Sequence, residues 1–167
     1  MKSIRTSCWI ALSVLFAVAC GDRKDPAPAS NFKYDGKTYE LNVGYYESYG
    51  ANGDGSYDMD IFLMAESSDS TSSTLDGVYL DLNTSSAEGL VAGTYTFAEE
   101  RKAFSMVDGS VSIHYNTVDE TGDEYGIVGG TVEIAGTGST YEITFDLTLD
   151  NSKQVTGTYK GKLLPFE

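Results

Sequence analysis

Tyr141, Ile143, Phe145, Leu147 and Leu149 alternate with Glu142, Thr144, Asp146 and Thr148. This period of two puts an apolar row on one face of a strand and a polar row on the other. After Asp150-Asn151-Ser152-Lys153 the alternation resumes, with Val155, Gly157, Tyr159, Gly161 and Leu163 inward and Thr156, Thr158, Lys160 and Lys162 outward. Val132 and Ile134 precede the turn Gly136-Thr137-Gly138-Ser139, which predicts a three-stranded meander from about Gly130 to Leu163. Near the start of the domain, Phe32-Lys33-Tyr34 and Thr38-Tyr39-Glu40-Leu41 flank Asp35-Gly36, a hairpin signal because glycine tolerates the positive φ of a tight turn. The next run points Tyr39, Leu41, Val43 and Tyr45 one way and Glu40, Asn42 and Tyr46 the other, and Tyr57, Met59, Ile61 and Leu63 then face away from Asp58 and Asp60. Less regular strands follow over Val78–Leu82, Thr94–Phe97, Phe104–Val107 and Ser110–Val118.

About nine or ten one-faced strands joined by short turns predict an all-β domain and exclude a doubly wound α/β sheet, whose strands are apolar on both faces. Consecutive hairpins favour an antiparallel up-and-down meander closed into a lipocalin- or avidin-like barrel over a β-sandwich, because closure leaves no open edge. No proline falls between Ala29 and Leu164 to interrupt pairing.

The first nineteen residues break this grammar. Lys2 and Arg5 precede the twelve-residue apolar run Cys8–Ala19, the plan of an export signal and too short to span a bilayer. Small residues Ala17 and Ala19 and then Cys20 resemble the lipobox of bacterial lipoproteins, which implies cleavage before Cys20 and acylation of that residue. Ala17 stands where the usual Leu would be, and Ala17-Val18-Ala19 also suits ordinary signal peptidase. The domain plan is therefore a signal over 1–19, lipidated Cys20 and a flexible tether over 20–31 containing Pro26 and Pro28, and one β domain over 32–167. The expected address is the cell envelope, at the outer membrane, with the lipid anchor as the only membrane contact.

The 167 residues carry 25 acidic against 11 basic side chains, a net charge of −14. Loss of Lys2 and Arg5 with the signal takes this to −16. Such a surface repels phosphate backbones, so nucleic-acid partners are excluded. Cys8 leaves with the signal, so the mature domain has no intramolecular disulfide and depends on its core.

Four candidate chemistries emerge. Asn52–Asp60 offers Asp54, Asp58 and Asp60 as oxygen ligands for calcium, as does Asp119–Glu124, although neither matches an EF-hand and both also suit turns; no other cofactor is expected. Phe62 and Met64 lie on the face away from the core, as do Tyr46 and Tyr79, and a symmetric turn over Ser67–Thr74 sets Phe62 opposite Tyr79. That aromatic platform, flanked by Asp60, Asp81 and Asn83, would stack a sugar ring or meet a protein. His114, the only histidine, falls on a wet face with no nucleophile elbow in the chain, so no enzyme activity and no catalytic residue is expected. Two carboxylates suffice for glycoside hydrolysis, but most of the acids fall on wet faces or turns.

The segments Leu90–Phe97 and Gly130–Gly161, with a Tyr-x-Ile-x-Phe-x-Leu strand and a Gly-x-Tyr-x-Gly close, resemble small single-domain lipoproteins of gut Bacteroidota. Some of these are similar to calycin-type barrels, and the resemblance implies small apolar ligand binding by analogy while carrying over no functional residue. The expected function is a lipid-anchored, non-catalytic binding protein for a glycan or small hydrophobic ligand. The alternative is a protein-interaction or adhesion module with no small ligand.

Overall fold

The computed structural model describes residues 30–65, 73–138 and 140–166. The export signal, Cys20 and most of the tether lie outside them, as does most of the turn between Phe62 and Tyr79. The described residues contain no helix. They form eleven strands: β1 Asn31–Tyr34, β2 Lys37–Glu40, β3 Val43–Ala51, β4 Tyr57–Met64, β5 Thr74–Thr84, β6 Gly93–Phe97, β7 Ser105–Asn116, β8 Thr121–Thr137, β9 Thr140–Leu149, β10 Gln154–Gly161 and β11 Leu163–Pro165.

One sheet holds all of them in the order β11-β3-β4-β5-β7-β6-β8-β9-β10-β1-β2, curled into a half-barrel. Its concave side is filled by the inward row of each strand. Phe32, Tyr95, Phe145, Ile61, Leu63, Leu80, Leu82, Ile143, Leu147 and Leu149 are all at most 2% exposed, each contributing about 1.5–3 kcal/mol by leaving water. The meander of β8, β9 and β10 has the expected antiparallel pairing, with Val132 opposite Phe145 and Gly157 opposite Phe145 on its other side.

The sheet is mixed, which corrects the expectation of a purely antiparallel up-and-down meander. Between β7 and β8 the ladder holds only from Ser110–Gly126 to Asn116–Thr121. β8 bends away beyond this, with a register shift between Ile127 and Gly129. Gly130 takes a φ of 117°, and a Cβ there would strike the Asp146 carbonyl, so only glycine makes the bend. Into the gap comes β6, antiparallel to β8 and parallel to β7. The second parallel pair is β11 on β3, which the C-terminal segment reaches after passing the end of β10.

A further correction concerns phase. Residues 39–46 are not one strand: after Leu41, whose N–H donates to Ser30 O, the chain leaves the β1–β2 hairpin and Asn42 N–H donates to Met64 O at the far side of the sheet. The jump reverses the alternation, so Tyr46 lies opposite Ile61 and packs on the core, while Tyr45 lies opposite Phe62 on the outside.

Candidate functional site

On the convex side of β3, β4, β5 and β7, the outward residues form cross-strand rows that change character along the strands. One row runs Tyr45, Phe62, Tyr79 and Ser110; the next runs Glu47, Asp60, Asp81 and Asp108; the last sets Asp58 beside Asn83 and Asn83 beside Ser105. The face thus passes from apolar to acidic within two residues along each strand, roughly 7 Å.

In the aromatic row the rings of Phe62 and Tyr79 stack with centroids 5.1 Å apart and planes 23° apart. Phe62 stacks equally closely, at 5.1 Å and 29°, on Phe166 beyond β11. Phe166 is held there by its N–H donating to Tyr46 O, and Tyr45 meets it edge-on at 5.9 Å. Phe62 and Tyr79 are half-buried, whereas Phe166 is 51% and Leu164 45% exposed. An open groove of about 600 Å³ runs beside Tyr45, Met64, Leu164 and Phe166.

The loop between β6 and β7 covers the middle of the acidic rows, at Asp58, Asp81 and Asn83. Arg101 forks onto Asp81, with Nη1 2.8 Å from Oδ1 and Nη2 2.7 Å from Oδ2, and Nη1 also donates to Asn83 Oδ1 at 3.2 Å. The same Nη1 lies 3.0 Å from Asp58 Oδ1, a charge pair without the alignment of a hydrogen bond, so that buried oxygen has no hydrogen-bond donor. Asn83, fully buried, donates to Ser105 Oγ and accepts from Asn52 Nδ2 at 2.7 Å. Ser105 Oγ–H in turn donates to Lys102 O, and Phe104 N–H to Asn83 O, which pins the loop down. Apart from Asp58 Oδ1, which has only its charge pair with Arg101, these groups are hydrogen-bonded, as suits polar side chains that a loop covers.

The electrostatics follow from that cover. Burial pushes the Asp60 carboxyl up to about 6; the Tyr79 hydroxyl, donating at 3.1 Å, opposes this, and the negative charges of Asp81, Asp58 and Glu47 add to it. Burial also raises Asp81, against the pull of Arg101. Tyr79 is held protonated far above its ordinary range by burial and by Asp60. Arg101 is raised by its hydrogen bonds to Asp81.

Of the residues expected to form the platform, Phe62, Met64 and Tyr79 share this face, and the Phe62–Tyr79 pairing is as expected. Tyr46 does not join them; Tyr45 and Phe166 do. Of the calcium set, Asp58 and Asp60 come together with Asp81, one oxygen from each within 4.8 Å of the others. Asp54 stands apart: its Oδ1 accepts from Ser56 N–H and Oγ–H at 2.8 and 2.6 Å, which closes the turn and lowers its pKa. Arg101 already sits against Asp58 and Asp81, so calcium, which takes six to eight oxygens, would have to displace it. In the second acidic segment, Asp119 accepts from Asn116 Nδ2 and Glu124 from Ser110 Oγ. His114 is exposed, its backbone N–H and ring both on Asp76.

Arg101 was not singled out by alternation, because it lies on a loop. Its signal was its isolation: with Lys102 it is the only basic residue between Lys37 and Lys153.

No family model, curated protein or solved structure matches the chain.

Proposed function

We propose that this chain is a lipid-anchored, non-catalytic recognition module of the cell envelope whose convex β3–β4–β5–β7 face binds a protein partner. The carrying observation is the stack Phe166–Phe62–Tyr79. Rings stacked face to face spend those faces on one another, and a sugar needs a free face to lie on. Beside the stack stand exposed Leu164 and half-buried Met64 and Tyr45, and of the stacked rings the central one, Phe62, is engaged by both neighbours. Aromatic residues, methionine and arginine are the types enriched at protein interfaces, and an apolar patch rimmed by polar residues is their usual form. Half-buried Glu47 and exposed Asp108 end the acidic row on either side of covered Asp60 and Asp81 and leave the rim negative, so the fitting partner presents an apolar anchor beside a cationic side chain. The inward rows that fill the half-barrel count against an enclosed, lipid-sized ligand.

The test places a photo-crosslinking residue at Tyr45 and, as a control, at outward-facing Lys33 on β1, near the other end of the strand order, in intact cells. The proposal expects one reproducible protein adduct from position 45 only. Its purified partner should then bind the wild-type chain and bind Phe62→Ala and Phe166→Ala at least about tenfold more weakly. Equal adducts from both positions, or unchanged affinity in both variants, overturns it. One observation favours a glycan instead: Phe166 keeps a half-exposed ring at the end of the stack. Saturable glycan-array binding lost in Phe166→Ala, with no protein adduct, would establish that reading in place of the first.

A further inference from the structure

Away from the convex face, a cavity of about 210 Å³ opens at one mouth of the half-barrel. Tyr46 reaches it from the inward side of β3, Met59 from β4, Tyr141 from the start of β9, and Leu163 from β11. The segment between β5 and β6 completes it with Leu90 on the wall and Glu88 on the rim. Met59 and Leu90 are buried at 4% and 5% exposure, whereas Glu88 is exposed.

The lining has a distinct chemistry. Two phenol rings, a thioether and aliphatic walls surround a space whose charged group is a single carboxylate. No Lys, Arg or His lines it, and Glu88 makes no ion pair among the described residues. An anion would meet Glu88 and a chain of net charge −14. A neutral apolar ligand would gain nothing from the carboxylate. A cation gains from both parts of the site, from Glu88 through charge and from the rings of Tyr46 and Tyr141, whose electron-rich faces attract quaternary ammonium groups. The size argues the same way, since drug-sized ligands occupy about 300–1,000 Å³.

We infer that this mouth cavity, lined by Tyr46, Met59, Leu90, Tyr141 and Leu163 and rimmed by Glu88, is a binding site for a small organic cation of the alkylammonium class. The site shares no side chain with the aromatic stack, so its fate is separate from that of the convex face.

The experiment titrates the full chain with choline and with 3,3-dimethylbutanol, its neutral isostere, by calorimetry and by NMR of the tyrosine resonances. Choline should bind saturably and at least about tenfold more tightly than the alcohol. Glu88→Gln, an exposed loop change that leaves the core untouched, should weaken choline at least about fivefold and leave the alcohol unaffected. Tyr141→Leu should weaken choline by a similar factor, and Phe62→Ala should change neither titration. No saturable choline binding, equal affinity for the alcohol, or undiminished choline binding by Glu88→Gln would overturn the inference.

Discussion

Asp60 is an acid placed where ionisation is costly, and replacing it with asparagine turns that statement into a measurement. In an unfolded chain its carboxyl ionises near its ordinary value of 3.8, and in the fold near 6. Below about pH 3 both states are protonated and the group is neutral in its effect. Between about 4 and 6 the folded state keeps a proton the unfolded state has lost, so stability falls as pH rises. Above 6 the carboxylate is charged in both states and the folded state bears the full penalty of about 3 kcal/mol. Asparagine has the same shape and no charge, and its Oδ1 can still accept from the Tyr79 hydroxyl. Asp60→Asn should therefore exceed wild type by only about 0.5 kcal/mol at pH 4 and by up to about 3 kcal/mol at pH 8, about 10 °C in Tm for a domain of this size. The assay is urea and thermal unfolding of both proteins at pH 4, 5, 6, 7 and 8, with the Asp60 carboxyl followed by NMR. A difference that stays constant from pH 4 to 8, or a variant less stable than wild type at pH 8, refutes the reasoning.

Arg101→Gln removes the one cation facing Asp58 and Asp81, whose side chains are 18% and 7% exposed. Because the Arg101 side chain is itself 40% exposed, the expected loss is about 1–3 kcal/mol at pH 7 in urea unfolding, shrinking toward acid pH as Asp81, whose carboxyl burial raises, takes up a proton. Gly157→Ala sets a Cβ 2.6 Å from Phe145 Cε2 and 2.8 Å from the Asn31 carbonyl. With Phe145 buried at 2% exposure, this should cost about 1–3 kcal/mol. Phe145→Leu in that background should recover part of the loss although it is destabilising alone, a coupling that a double-mutant cycle reads directly. Cys20→Ser should abolish fatty-acid labelling and move the protein from the membrane pellet to the soluble fraction.

How far the fold could be read from residues depended on whether a contact was local. The strands from Val132 to Gly161 were legible because consecutive partners are joined by short turns, so alternation and turn position together fix the register. The Phe62–Tyr79 pairing followed from the same logic, as a hairpin whose midpoint can be counted. The acidic flank at Asp60, Asp81 and Asn83 came with it, since residues two apart on a strand share a face.

What alternation cannot carry is a change of partner. Tyr39 to Tyr46 reads as one strand because polar and apolar residues keep alternating through Leu41 and Asn42. Yet the backbone there passes from Ser30 to Met64, two acceptors on opposite sides of the sheet. A strand's phase is set by its neighbour and not by its own sequence, so a new neighbour can invert it, and Tyr45 and Tyr46 exchange roles. The same limit hid the rest of the site. Phe166 reaches Phe62 only because β11 pairs parallel to β3, and Arg101 reaches Asp58 only because β6 enters between β7 and β8. Both arrivals come from segments that skip a neighbour, and both land on the convex face. The residues that complete this convex face are thus those delivered by the two departures from the meander. On a plain up-and-down sheet this face would be an open acidic row beside a two-ring pair, with no cation to neutralise the first and no third ring to extend the second.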